Sequence, residues 1–240
     1  LEVGPAHDEW GGRHELDTIY CAIGVYDTVT ATAKQPGAGF SLELEGAYLG
    51  DLASSRSDMR RNHAVLALFA MAQAAEREPD VALTITKRIP VGAGLGGGSA
   101  DAAATMLAGG LAYGTGFGER ITDIAPGSRD ELALIEQGFS GEVLVGAYQS
   151  QLSTPEVYHT FDIVGAAEGD RNHLQAAAIS LHPRSGQAID AATQAGPSVV
   201  AFAADEAAAQ RIIEVWRDTA VVDRIIRAKS PEHPNISVRQ

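Results

Sequence analysis

Alternation of apolar and polar residues predicts three strands in the first half of the chain. Residues 29–33, 40–45 and 81–86 each place apolar side chains at every second position. This is the period of a strand with one buried face. The stretch 16–25 is rich in β-branched and aromatic residues, so it is predicted as a fourth strand.

Helical spacing of apolar residues predicts a helix over 64–77. Asn62 stands just before this run and is a suitable N-cap. A second, alanine-rich helix is predicted to begin at Ser99 and to end at Gly109 and Gly110. The apolar side chains expected to form one face of the first helix are Val65, Leu68, Phe69 and Met71.

The second half of the chain begins after a Pro-Gly-Ser break at 126–128. Ser153 and Glu156 form the pattern of a capping box, which predicts that a short helix follows at 157–161. Strands and helices mix without a regular βαβ order, so the fold class is α+β with two domains, at 1–127 and 128–240. The other elements predicted here are strands at 143–148, 198–202 and 221–228 and a helix at 205–217.

The charge balance disfavours a nucleic-acid partner. The 240 residues carry 18 Lys and Arg against 31 Asp and Glu, a formal net charge of −13. Nucleic-acid binding needs clustered basic residues, and those at 56–61 are interrupted by Asp58. An acidic protein that binds a polyanion must instead use backbone amides, a helix N-terminus or a cation.

Cysteine usage and hydropathy predict a cytoplasmic protein. Cys21 is the single cysteine, so no internal disulfide can form, which fits a reducing compartment. Its apolar neighbours predict a buried position. No run approaches the roughly 20 apolar residues needed to cross a bilayer, and no membrane partner is expected. We expect a monomer or weak dimer with a small-molecule substrate.

A glycine cluster between residues 92 and 98 is the main candidate for chemistry. Glycine allows positive φ and leaves no Cβ between the amides and a ligand. Consecutive amides can therefore point into one concavity, and the following helix directs its positive end there. Ser99 is placed to cap that helix or to offer its hydroxyl to a phosphate or a metal ion. The alternative is a tight turn that merely needs glycine, although a turn requires one or two rather than five.

Other known loop types fit less well. A Walker A loop ends in Gly-Lys-Ser/Thr, a tripeptide absent from this sequence. Gly92, Gly94 and Gly97 match a dinucleotide fingerprint, but that fingerprint needs an apolar strand running straight into the first glycine, and here Lys-Arg-Ile-Pro at 87–90 intervenes. Ser99 lacks the closing glycine of a hydrolase elbow. The seven histidines show no metal-site spacing.

Residues 90–100, Pro-Val-Gly-Ala-Gly-Leu-Gly-Gly-Gly-Ser-Ala, resemble the second motif of the GHMP kinase superfamily. Gly-Arg-His-Glu-Leu at 12–16, Leu-Ser-Thr-Pro-Glu-Val-Tyr at 152–158 and Arg-Asn-His-Leu-Gln at 171–175 resemble one branch of it. That branch phosphorylates the 2-hydroxyl of a cytidine-diphosphate-linked methylerythritol in non-mevalonate isoprenoid (terpenoid) biosynthesis. Together these segments span most of the chain.

The resemblance implies a ribosomal protein S5 domain 2-like N-terminal domain, a ferredoxin-like C-terminal domain, and ATP with Mg²⁺. His14 would hydrogen-bond the cytosine edge, Tyr158 would stack on the ring, and Thr154 would help to fix the cytidine end. Ser99 would contact the metal. The residues implied for ATP are Lys87, Pro90, Gly92, Gly94, Leu95, Gly96, Gly97, Gly98 and Ser99.

Three parts of the family pattern are missing, so no catalytic residue can be assigned. The chain begins where an N-terminal lysine motif would already have ended, and nothing matches the segment that carries the presumed catalytic aspartate. The third motif survives only at 195–198, and Arg13 replaces a tyrosine. Either loops are missing from this sequence, or the chain is a short nucleotide-binding pseudokinase. Another GHMP kinase, for homoserine or phosphomevalonate, is a further alternative.

Overall fold

The structure is a computed structural model that describes residues 1–46, 49, 59, 62–113, 139–150, 152–193 and 200–232. The chain divides into two compact units. We call residues 26–132 the central unit, and residues 1–25 with 133–240 the terminal unit. The domain boundary predicted between residues 127 and 128 lies outside the described residues and stays a prediction.

The helices and strands are numbered in chain order. They are β1 (Glu2–His7), β2 (Arg13–Asp17), β3 (Thr28–Ala33), β4 (Ser41–Glu45), α1 (His63–Ala74), β5 (Val81–Thr86), α2 (Gly97–Tyr113), β6 (Gly141–Ala147), α3 (Thr154–Val164), α4 (Gln175–Leu181), α5 (Pro183–Thr193), β7 (Val200–Ala203), α6 (Glu206–Thr219) and β8 (Arg224–Ser230). No helix in the described parts of the chain is long and apolar enough to span a membrane.

The central unit contains a three-stranded sheet in the order β3-β5-β4. β3 runs antiparallel to β5, whereas β4 runs parallel to it. Val81, Leu83 and Ile85 alternate along β5 and are almost fully buried. They pack with Val65 and Leu68 of α1, so the alternating pattern read from the sequence is confirmed as one core-facing surface.

Helices α1 and α2 lie against each other in the central unit. Asn62 caps α1 as predicted, because its Oδ1 accepts a 2.9 Å hydrogen bond from the Ala64 amide. The prediction that α2 ends at Gly109 and Gly110 is wrong, since the helix continues to Tyr113. A Cβ placed on Gly109 would lie 2.5 Å from the Met71 methyl carbon. Glycine here therefore allows close packing between the helices.

The terminal unit contains the antiparallel sheet β7-β6-β8 and the separate hairpin β1-β2. Helices α5 and α6 pack with β6 and β7 around Trp216, which is fully buried. The indole Nε1 of Trp216 donates a 3.1 Å hydrogen bond to the Ala188 carbonyl oxygen. Asp205 caps α6 by accepting from the Ala208 amide at 2.7 Å.

Several local predictions are wrong. Only the start of the strand predicted at 16–25 belongs to β2, and Cys21 is exposed rather than buried. Ile19 and Tyr20 are about three-quarters exposed, at 75% and 73%. The strand was predicted here from apolar composition without regular alternation, and that prediction was wrong.

The capping box at the start of α3 is correct in position but not in its hydrogen bonds. Ser153 occupies the N-cap, yet its side chain makes no capping hydrogen bond. The helix spans Thr154–Val164 and is longer than the predicted 157–161. Strand β1 and helices α4 and α5 were not predicted from the sequence. A Gly-Pro pair lies inside β1, and α4 is only seven residues long.

Candidate active site

The glycine-rich loop before α2 has the backbone geometry of an anion nest. Gly92, Gly94 and Gly96 have φ values of 70°, 71° and 66°, while Ala93 and Leu95 between them are not among the residues of positive φ. When positive and negative φ values alternate along the chain, successive backbone amides turn toward the same side. A Cβ on Gly94 or Gly96 would meet no other atom within 4 Å. The space above these two glycines is therefore open.

The last two glycines have a different role, because they form the first turn of α2. A Cβ on Gly97 would lie 3.0 Å from Ile89 Cγ2, and one on Gly98 would lie 3.0 Å from His63 Nδ1. These contacts require small residues for packing. The proposed capping role of Ser99 is wrong, since α2 already begins at Gly97. Ser99 is exposed in the first turn, where its hydroxyl is accessible.

A buried ionic network lies directly beneath the loop. The ammonium of Lys87 donates to Asp27 Oδ2, and it donates to Asp101 Oδ2 at 2.7 Å. The side chains of Lys87, Asp27 and Asp101 are only 5%, 3% and 5% exposed. The Lys87 ammonium is also 3.5 Å from where a Cβ of Gly97 would lie. One cation therefore stands between two carboxylates next to the start of α2.

Burial raises the pKa of Asp101 to about 6, although the hydrogen bond from Lys87 acts in the opposite direction. Its second oxygen, Oδ1, is buried and has no hydrogen-bond partner in the described parts of the chain. The first turn of α2 contains no acidic residue. Asp101 belongs to the next turn and faces Lys87.

His14 is held in the terminal unit by two oxygen atoms. Its Nδ1 lies 2.9 Å from the Gly4 carbonyl oxygen, and its Nε2 lies 3.1 Å from Asp162 Oδ1. Both partners accept hydrogen bonds, so both contacts are satisfied together only when both ring nitrogens carry a proton. The pairing β1-β2 brings Gly4 to His14, and α3 carries Asp162.

Tyr158 lies beside His14. The two rings are nearly parallel, 20° apart, with centroids separated by 5.5 Å. Phe161 meets the His14 ring edge-on at 5.9 Å. Thr154 is exposed at the beginning of the same helix. His14, Tyr158 and Thr154 therefore occupy one region of the terminal unit, whereas the glycine loop and Lys87 belong to the central unit.

Three acidic residues of these sites were not found from the sequence. Asp27 and Asp101 contact Lys87, and Asp162 contacts His14. Asp162 stands four residues after Tyr158 and so falls on the same side of the helix. That four-residue spacing was the feature of the sequence that could have identified Asp162. No feature of the sequence pointed to Asp27, since it lies 60 residues from Lys87.

The α+β fold and the glycine loop define a GHMP-type kinase. Residues 62–138 match the family model described as the GHMP kinases N-terminal domain. A crystal structure of 4-(cytidine 5'-diphospho)-2C-methyl-D-erythritol kinase is similar over 96% of this chain and 95% of its own, with a TM-score of 0.64 at 21% identity. Homoserine kinase from Cytophaga hutchinsonii shares the fold more distantly, with a TM-score of 0.60 at 12% identity.

Sequence relatives identify the family within that class. The chain is 86% identical to 4-diphosphocytidyl-2-C-methyl-D-erythritol kinase of Bifidobacterium longum (strain NCC 2705), covering 100% of the chain and 89% of the relative. It is 58% identical to the enzyme of that name from Bifidobacterium adolescentis, covering 99% and 90%. The chain therefore belongs to the 4-diphosphocytidyl-2-C-methyl-D-erythritol kinase family, and the resemblance seen in the sequence is confirmed.

Proposed function

We propose that the protein uses ATP and Mg²⁺ to phosphorylate the 2-hydroxyl of 4-diphosphocytidyl-2-C-methyl-D-erythritol. The observation that carries the proposal is the alternating glycine loop at the start of α2, in a chain that belongs to this family. Phosphoryl transfer depends mainly on positioning and on stabilising charge. Backbone amides and a helix N-terminus supply both without requiring basic side chains.

The loop is suited to the phosphates of ATP. The positive φ values of Gly92, Gly94 and Gly96 turn amides into one concavity, and the open space above Gly94 and Gly96 leaves room for an anion. Pro90 is buried and fixes the start of the loop, while Leu95 is half-buried within it. In this proposal Lys87 and the five glycines all belong to the ATP site.

Mg²⁺ would bind at this site only together with ATP. Within the described ranges, no group of three or more His, Cys, Asp or Glu side chains could hold a metal ion. The carboxylates of Asp27 and Asp101 are already bound to Lys87. Mg²⁺ commonly keeps several waters and is held largely by substrate phosphates. Ser99 is the residue whose hydroxyl would contact it, and the ion would supply charge neutralisation.

The cytidine end of the substrate would bind at His14, Thr154 and Tyr158. The centroids of His14 and Tyr158 are 5.5 Å apart. A base between two rings needs about 7 Å, because carbon contacts are about 3.5 Å in each layer. The cytosine would therefore stack on the face of Tyr158 that His14 does not cover. His14 would present Nε2 to the base edge, in competition with Asp162.

A second function, nucleotide binding without catalysis, is the alternative because no segment of the sequence matches the one that carries the presumed catalytic aspartate of the family. Without a catalytic base, the chain would bind ATP but transfer phosphate at a negligible rate. In the described part of the chain, the lysine–aspartate contacts at the loop are those of Lys87, and they are buried.

Two measurements separate these functions. Thermal-shift titration with ATP, and then with cytidine diphosphate, tests each ligand site. A coupled assay for ADP release, with the full substrate and Mg²⁺, tests phosphoryl transfer. The proposal expects a response to both ligands and turnover that depends on the substrate. Binding of both ligands without ADP release would establish the non-catalytic function, and a response to ATP alone would point to another substrate.

A further inference from the structure

The ionic network beneath the glycine loop connects the two ends of that loop. Lys87 follows β5 directly, and its backbone amide donates to the Glu45 carbonyl oxygen of β4 at 2.8 Å. Its ammonium reaches Asp101 in α2, which begins immediately after the loop. The side chain of Lys87 therefore links the strand that enters the loop to the helix that leaves it.

Asp27 fixes the entrance of the loop more directly. Its Oδ1 accepts hydrogen bonds from the amides of Arg88 at 2.5 Å and Ile89 at 2.8 Å, while its Oδ2 accepts from Lys87. The same carboxylate thus holds the lysine side chain and the next two backbone amides. Pro90 and the glycines follow at once. The direction in which the chain enters the loop is set by this contact.

The charges in the network do not suit a direct phosphate contact by Lys87. Two of its three ammonium protons are donated to carboxylates, and all three side chains are almost completely buried. The two carboxylates outnumber the single ammonium, so the network carries no surplus positive charge. Replacing buried ion pairs with apolar groups is often neutral or stabilising. Fold stability alone therefore does not account for the network.

We propose that Asp27, Lys87 and Asp101 are positioning residues for phosphoryl transfer. They hold the two ends of the glycine loop at the separation that turns its amides toward the ATP phosphates. Lys87 then acts on ATP through the loop and not as a phosphate ligand. This inference rests on the proposed ATP site and adds to it the residues that set the loop geometry.

The Asp101→Asn variant separates positioning from direct contact, because the two roles predict opposite signs. If Lys87 bound phosphate directly, removing a neighbouring carboxylate would free its ammonium and leave ATP binding equal or tighter. If the network positions the loop, Asp101→Asn should weaken ATP binding, as Lys87→Met should. We expect the KM for ATP to rise about tenfold in each, with the KM for the cytidine substrate unchanged.

The double variant tests whether Lys87 and Asp101 act on ATP binding through one shared contact. Lys87→Met combined with Asp101→Asn should lose little more ATP affinity than either single change, because the two residues act through one contact. Glu43→Gln is the matched control, since it removes an exposed negative charge from β4 of the same unit. Its KM for ATP should remain that of the unmodified chain.

Hydrogen–deuterium exchange of the nucleotide-free protein tests the positioning role without ATP. Asp27→Asn and Lys87→Met should speed exchange across residues 88–98, while exchange in α6 stays unchanged. Unchanged exchange across the loop in both variants, or tighter ATP binding by Asp101→Asn, would overturn the inference. Failure of the unmodified chain to bind ATP would instead overturn the proposed function, and the exchange experiment would still decide whether the network orders the loop.

Discussion

Asp162 lies 3.1 Å from His14 Nε2, opposite the Gly4 carbonyl oxygen that faces Nδ1. Each ring nitrogen thus faces an acceptor before any substrate is bound. A cytosine that approached Nε2 would compete with the Asp162 carboxylate for the same proton. The residue that orients His14 is therefore also the one that limits its availability to the base.

Replacing Asp162 with Asn should change affinity for cytidine diphosphate and leave ATP affinity unaltered. The Asp162 side chain is 52% exposed, so the ion pair contributes at most about 1 kcal/mol. We expect an effect of up to about fivefold in Kd, measured by isothermal titration. Glu156→Gln, an exposed charge change in the same helix, is the control. A parallel loss of ATP binding would show that the variant disturbs the fold instead.

Replacing Tyr158 with Ala should weaken binding of the cytidine substrate. A base–aromatic stack is worth about 1–3 kcal/mol, so KM for the substrate should rise by roughly one order of magnitude. Tyr158→Phe keeps the ring and should retain most of the affinity. His14→Ala should also weaken substrate binding, by about 1 kcal/mol for one hydrogen bond to the base. Unchanged KM in both alanine variants would remove this region from the substrate site.

Two glycine substitutions should affect the loop through different mechanisms. Gly97→Val places side-chain carbon against Ile89 and near the Lys87 ammonium, so loss of ATP binding should come with lower thermal stability. Gly94→Ala meets no atom within 4 Å but must adopt a φ of 71°, which costs about 1–2 kcal/mol. ATP titration with thermal unfolding of each variant checks this. Unchanged ATP affinity in both would contradict the phosphate role.

The helices and strands predicted correctly from the sequence are those with a strong pattern over a few neighbouring residues. The alternation in β5 and the cap at Asn62 each depend on residues a few positions apart. The strand predicted at 16–25 failed because apolar composition was high while Ile19 and Tyr20 remained exposed. Composition without period does not specify which face of a segment is buried.

The sequence located the glycine loop but not the residues that support it. The five glycines are contiguous enough to indicate an anion site on their own. The contact between Asp27 and Lys87 joins residues 60 positions apart, and β3 pairs with β5 to bring them together. Such contacts depend on sheet register, which a single sequence specifies weakly.

Asp101 should make the stability of the nucleotide-free and Mg²⁺-free protein fall as the pH rises from about 4 to 6. Its pKa is raised by burial from 3.8 to about 6 in the folded state. Between those values the folded chain keeps the Asp101 proton while the unfolded chain releases it. Because the folded state then binds more protons, raising the pH favours unfolding. The contribution of this carboxyl is present below pH 4 and is lost above pH 6, and it amounts to up to about 3 kcal/mol.

Urea unfolding of the unmodified chain and of Asp101→Asn, followed from pH 4 to pH 7, isolates this contribution. The other carboxyl groups titrate in both proteins, so the difference between their unfolding free energies reports on Asp101. We expect the asparagine variant to gain stability relative to the unmodified chain as the pH rises, with the difference levelling off above pH 6. Asparagine cannot form the charged pair with Lys87. The loss of that pair shifts the difference in unfolding free energy by a constant amount, but it does not make the difference change with pH. A difference that stayed constant from pH 4 to pH 7 would mean that Asp101 titrates at its ordinary pKa in the folded protein.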